Sequence, residues 1–182
     1  MVTQNLKLIP STPEHALALI DSSDSYTRAF GWPPAEGLRD YLVSDAVSPE
    51  WLAQLRSSTG PDPWRFGFAL LHPASGTVVG MASFKGPPGV DGVVEIAYGV
   101  VPKFQGRGYA TEVARALTDY AFGTGQVRLV CAHTAPEMNA STRVLGKCGF
   151  QFAGEVLDPV DGRIWRWERS LIPCKPARSP GT

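Results

Sequence analysis

Gln105-Gly-Arg-Gly108-Tyr-Ala110 stands where an apolar run, residues 93–101, gives way to a helical pattern. Glycine at 106 and 108 removes side chains that would hold a ligand off the backbone, and Pro102 ends the strand. The amides of residues 106–110 can then face outward as an open nest at a helix start. That chemistry is anion binding, to which Arg107 adds a full positive charge; the alternative is that the two glycines only shape the turn between strand and helix. No Gly-Lys-Ser/Thr follows, so the loop is not a Walker P-loop. Glu95 is the one acid in the run before it, and Asn139-Ala-Ser141 is a second polar group at the start of another helical pattern.

The elements that must position these residues follow from periodicity. Residues 6–9 read as a short strand, and Ser11-Thr-Pro-Glu14 offers a capping box with proline in the first helical turn. Residues 21–63 read as two short helices and loops, broken by Gly31-Trp-Pro-Pro34, Ser48-Pro49 and Gly60-Pro-Asp-Pro63. Trp64, Phe66, Phe68 and Leu70 alternate as a strand, the turn at 72–76 follows, and residues 77–85 complete a hairpin. After the loop 86–92 come the strand 93–101, a helix over 108–122, a strand over 127–133, a helix over 139–147, and strands over 150–156 and 163–171. The sum is an α+β fold with an antiparallel start and a β-α-β-α-β-β second half.

Composition bounds the partners. The 182 residues are 43% hydrophobic and fit one domain, residues 1–172, with 21–63 a variable helical segment and 173–182 a loose tail. Seventeen basic residues balance seventeen acidic ones, so no global field draws in nucleic acid or an anionic membrane. No apolar run approaches the roughly 18 residues of a membrane span, and no charged leader precedes an apolar stretch, which points to a cytoplasmic protein. Cys131, Cys148 and Cys174 have no zinc-ligand spacing, and no metal is expected. Cys131 and His133 share a strand face but adjoin no elbow turn or orienting group, so they read as core packing. His15 and His72 read as solvated helix and turn residues. Trp165 and Trp167 interleave with arginines, but strand alternation puts the tryptophans on one face, against a nucleic-acid surface.

Gln105-Gly-Arg-Gly108-Tyr-Ala110 resembles the Gln/Arg-x-x-Gly-x-Gly/Ala signature of the GNAT superfamily of acyl-CoA N-acyltransferases. The stretch from Asn139-Ala-Ser141 to Gly149-Phe150 is similar to that superfamily's second motif, and Glu95-Ile-Ala-Tyr98 with Gly108-Tyr-Ala-Thr-Glu112 is similar to its ribosomal-protein N-terminal acetyltransferase branch. The resemblance implies a mixed central sheet of about six or seven strands with helices on both faces, splayed between two parallel strands. It also implies that acetyl-CoA is the cosubstrate. Its pyrophosphate would lie on Gln105, Gly106, Arg107, Gly108, Tyr109 and Ala110, and its pantetheine would bond to the backbone near Val100 and Val101, whose bulged end would polarise the thioester. Asn139 and Ser141 would face the thiol end.

Direct attack by a primary amine, on a small molecule or a protein N-terminus, then needs a base and an acid. Glu95 should face the cleft, where partial desolvation suits a carboxylate to general-base work. Its alternative is a structural carboxylate paired with an arginine. Many relatives carry a tyrosine acid where this chain has Leu145, which leaves Ser141 as first candidate, ahead of Tyr98 and Tyr109; a capping role is the alternative for Ser141. Arg143 and Lys147, one helical turn apart, share a face that can approach the phosphates, or simply a solvated one. Trp32, Pro33, Pro34 and Trp51 come from the segment that would cover the acceptor side. A non-catalytic acyl-CoA-binding module is the rival function, and homodimerisation is left open.

Overall fold

The computed structural model describes residues 1–42 and 49–171. Its elements are β1 (Lys7–Pro10), α1 (Pro13–Asp21), α2 (Ser23–Phe30), α3 (Leu38–Leu42), α4 (Pro49–Ser57), α5 (Pro63–Phe66), β2 (Phe68–His72), β3 (Thr77–Phe84), β4 (Val93–Val100), α6 (Tyr109–Gly123), β5 (Leu129–Thr134), α7 (Ala140–Lys147), β6 (Gln151–Asp158) and β7 (Gly162–Ser170). Cys174 and the tail 173–182 lie outside the described residues, and so does the side chain of Trp51.

One seven-stranded sheet runs in the order β1-β2-β3-β4-β5-β7-β6. Every neighbouring pair is antiparallel except β4 and β5, which are parallel. A parallel pair needs a crossover, and α6 supplies it. Phe68, Ala69, Leu70 and Leu71 are all buried, which for successive strand residues means that both sheet faces are covered there. Val113, Ala114 and Leu117 of α6 and Leu145 of α7 join Val94, Ile96, Val130 and Ala132 in a continuous core.

Three local expectations shift. The α1 capping box uses Thr12 and His15 in place of Ser11 and Glu14, because Ser11 still follows β1 and donates its amide to the Gly67 carbonyl at 2.9 Å. His15 accepts from the Thr12 amide at 3.3 Å and meets Phe30 edge-on, so it is a packed capping residue. Trp64 and Phe66 are not strand residues: Asp62 caps a single helical turn with Pro63 at its start. Gly67, at φ 63°, ends that turn where a side chain would strike the β3 backbone. Trp64 then packs on Phe84 and Tyr120 instead of alternating along a strand.

Candidate active site

The sheet opens between β4 and β5. They pair only through Val93–Leu129, Val94–Val130 and Glu95–Cys131. Beyond that point β4 stays on β3 as far as Gly80–Val100, and β5 stays on β7 as far as Thr134–Trp165. Backbone direction in the wedge follows from alternation. The Glu95 carbonyl accepts from Lys85 and the Val101 amide donates to Val79, both toward β3. Tyr98 and Val100 therefore turn their backbone groups into the wedge, and Val101 turns away from it. The expected bulge is also missing: the register of β4 on β3 is unbroken from Phe84–Ile96 to Gly80–Val100.

A cavity of about 190 Å³ occupies the wedge, lined by residues that include Lys85, Glu95, Tyr98, His133, Ser141 and Leu145. Ile96, Tyr98, Ala132 and Thr134 belong by alternation to the face that α6 and α7 cover, and Glu95, Ala97 and His133 to the opposite face. Residues from both faces line one space, so the cavity passes through the sheet. A larger groove of about 650 Å³ between α1, α2 and α4 shares no lining residue with it.

Glu95 is 19% exposed, and its Oε1 lies 2.7 Å from Lys85 Nζ and 3.0 Å from His133 Nδ1. The partner is thus a lysine and a histidine, not an arginine. Partial burial works against the Lys85 ammonium, but the hydrogen bond and charge of Glu95 raise its pKa on balance. His133 is no core residue: it stands beside Glu95 in the cavity wall. Nothing along the chain marks it: it lies two residues beyond Cys131, which the sheet register sets beside Glu95. Burial pushes the Cys131 thiol up to about 11, which keeps it a neutral packing group.

Asn139 is the N-cap of α7, its Oδ1 accepting from the Thr142 amide at 3.1 Å while its own amide donates to Thr142 Oγ1 at 3.0 Å. Capping is therefore the work of Asn139, and Ser141 is left exposed in the cavity wall. The Tyr98 hydroxyl is buried with no hydrogen-bond partner among the described residues, and burial raises its pKa. Tyr109 points elsewhere, its hydroxyl 3.0 Å from His72 Nε2. That contact makes His72 an anchor for the start of α6 and removes Tyr109 from the candidate acids.

In the glycine loop, Gly106 and Gly108 have φ of 74° and 83°, and open space lies where a Cβ on either would stand. None of the amides of residues 106–110 donates to another described backbone group. This cradle suits the diphosphate of coenzyme A. Gln105 closes the loop with an Nε2 bond to the Val100 carbonyl at 2.7 Å. Arg107 folds back, donating to the Lys103 carbonyl at 3.2 Å and stacking on Phe104. Arg143 and Lys147 are exposed on α7 outside the cavity lining, and the Lys147 carbonyl accepts from Arg115 at 3.0 Å. None of Trp32, Pro33 and Pro34 lines the cavity; Pro33 and Ala35 bond instead to Val78 on β3.

Residues 5–151 match the model of the acetyltransferase (GNAT) domain family. The chain belongs to the GNAT acetyltransferase family. As such it is an acyl-CoA-dependent acetyltransferase, and solved structures share its fold. A putative GNAT-family acetyltransferase from Bordetella pertussis superposes with a TM-score of 0.64 at 23% identity, over 93% of this chain and 98% of that one. A ribosomal L7/L12 alpha-N-protein acetyltransferase in complex with coenzyme A gives 0.62 at 15%, over 93% and 96%. An aminoglycoside acetyltransferase in complex with ribostamycin and coenzyme A gives 0.61 at 21%, over 92% and 94%. Among the described residues, no helix of this GNAT acetyltransferase is long and apolar enough to cross a membrane, and no cluster of side chains could hold a metal ion.

Proposed function

We propose that the protein is an N-acetyltransferase that moves an acetyl group from acetyl-CoA to a primary amine by direct attack, working in the cytoplasm as one domain over residues 1–172. The observation that carries this reading is the cavity through the sheet, which lets donor and acceptor meet from opposite faces. The amides of residues 106–110 hold the diphosphate, and Tyr98 and Val100 offer backbone groups to the pantetheine as to an added strand. Arg143 and Lys147 face the phosphates. Glu95 is the carboxylate of the acid-base centre on the acceptor face. Ser141 donates a proton toward the departing sulfur, with the Tyr98 hydroxyl as a second donor in the same wall, and Asn139 fixes Ser141 by capping its helix.

The neighbours suggest two kinds of acceptor, a protein N-terminus and an aminoglycoside. The test is thiol release from acetyl-CoA with a short peptide bearing a free N-terminus and with ribostamycin. Turnover of either amine supports the reading. Tight acetyl-CoA binding with no thiol released by any primary amine overturns it.

A further inference from the structure

Glu95 Oε1 is shared between Lys85 and His133. A carboxylate oxygen can only accept, so with Glu95 Oε1 at 3.0 Å from Nδ1 a neutral His133 gains by carrying its proton on Nδ1. Its lone pair then resides on Nε2, for which no hydrogen-bond partner occurs among the described residues. The ring is 16% exposed, sits in the cavity wall and belongs to the face opposite Ser141, Tyr98 and Leu145. Lys85 remains an ammonium and cannot accept a proton in its place.

We infer that His133 Nε2, held by Glu95, is the atom that takes the proton from the acceptor ammonium. This rests on the acyltransferase reading above and assigns its base. The acceptor loses one proton to Nε2, and the lone pair so freed forms the C–N bond at the acyl carbon as the C–S bond breaks. The nitrogen's surplus proton replaces the one the sulfur takes up, so amide and free thiol leave, and the imidazolium returns its proton to water. Glu95 orients the ring and balances the imidazolium charge, as a carboxylate does for a catalytic imidazole in hydrolases.

Other charges facing His133 are compensated. Arg166, its register partner on β7, is tied to Glu168 at 2.7 Å. Cys131, on the same face, stays neutral. Asp158 and Asp161, in the β6–β7 turn, lie within electrostatic reach of Lys85. Asp158 is held below the usual carboxyl range by the amides of Asp161 and Val160 and, more weakly, by the charges of Lys85 and His133. The charges within reach of the ring are therefore the carboxylates of Glu95 and Asp158 and the ammonium of Lys85.

The experiment compares wild type, His133→Gln, His133→Ala and Glu95→Gln in acetyl-CoA assays with ribostamycin and the free-N-terminus peptide. Melting temperature and acetyl-CoA affinity verify each fold. His133→Gln should lower kcat/KM about 10²-fold to 10⁴-fold near neutral pH, with a deficit that shrinks toward the amine's own pKa. Added imidazole should restore part of the rate of His133→Ala and none of that of His133→Gln, a rescue a merely structural role would not produce. Nitrogen-15 spectra should show neutral His133 protonated on Nδ1 in wild type, a preference Glu95→Gln loses. Wild-type rate in His133→Gln beside a crippled Glu95→Gln would show that Glu95 acts without the ring and sink this assignment alone, as would a ring protonated on Nε2. A wild type that binds acetyl-CoA but releases no thiol with any primary amine removes the acyltransferase reading itself.

Discussion

Glu95 is where a single atom exchange tests the site most directly. Glu95→Gln keeps size and hydrogen-bonding capacity but removes the negative charge that Lys85 and His133 share. Turnover should fall about 10²-fold to 10⁴-fold with acetyl-CoA affinity nearly unchanged, because the carboxylate lies on the sheet face opposite α6 and α7. The loss should fade as pH rises toward the amine's pKa, where free amine needs no base; pH-rate profiles of both proteins check this. Tyr98 offers the converse. Its hydroxyl is buried without a partner, an arrangement that costs stability. Tyr98→Phe should therefore melt no lower than wild type, yet turn over more slowly, since the hydroxyl finds its partner only when substrate fills the wedge. Calorimetry beside steady-state kinetics separates the two effects.

At the scale of elements, the proposed donor site falls on the strand-loop-helix unit from β4 to α6. Gly108 stands at φ 83° as the N-cap of α6, a backbone conformation that β-branched residues avoid. Gly108→Val places two methyl groups in the space the diphosphate would occupy, so acetyl-CoA affinity should fall by more than about tenfold, 1.4 kcal/mol. Unchanged affinity in a folded variant, measured by calorimetry, would remove the anion nest. Arg107→Ala should weaken binding less, because that guanidinium already bonds Lys103 and stacks on Phe104, and the loss should shrink as salt rises.

The first turn of α6 is also tied to the chain start: Glu112 accepts from Thr3 Oγ1 at 2.7 Å and from Asn5 Nδ2 at 2.6 Å. Burial opposes its ionisation, but these bonds outweigh it and lower its pKa below the ordinary 4.5. A lowered folded-state pKa means stability that is full above the unfolded value and lost as pH falls through the folded one. Glu112→Gln should thus lower Tm near neutral pH, with a gap from wild type that closes in acid below about 4.5. Melting curves across that range check the sign.

Much of this unit was legible in the sequence, since the glycine loop, the lone acid of β4 and Asn139 before α7 are local signals. The aromatic run at 64–70 was not, because Trp64 and Phe66 keep strand spacing while Asp62-Pro63 starts a helical turn and Gly67 ends it. His133 was missed for another reason. Its meaning comes from a non-local register, Glu95 on β4 beside Cys131 on β5, that no spacing along the chain reveals. Trp32–Pro34 shows the same limit: it lines no part of the cavity, and only the Val78 bonds show where it docks.

For the whole molecule, the consequence lies in how weakly the two parts of the sheet are joined. β1 to β4 form one antiparallel block and β5, β7 and β6 another, and three residue pairs connect them directly. The α6 crossover and its buried face complete the connection. Acetyl-CoA bound along the wedge would supply the hydrogen bonds that β4 and β5 do not make to each other, so it should act as a stitch between blocks and not only as a ligand on one of them. At a concentration one hundred times its Kd, binding stabilises the folded state by about 2.7 kcal/mol. For a chain of this size that corresponds to a rise in Tm on the order of 5–10 °C. The distribution is the sharper test. Hydrogen exchange should slow most at Tyr98 and Val100, whose amides face the wedge, and little at Val101, already bonded to Val79. Equal protection of Val101 and Val100, or protection confined to residues 106–110, would show that the donor rests on the loop alone and leaves the wedge unfilled.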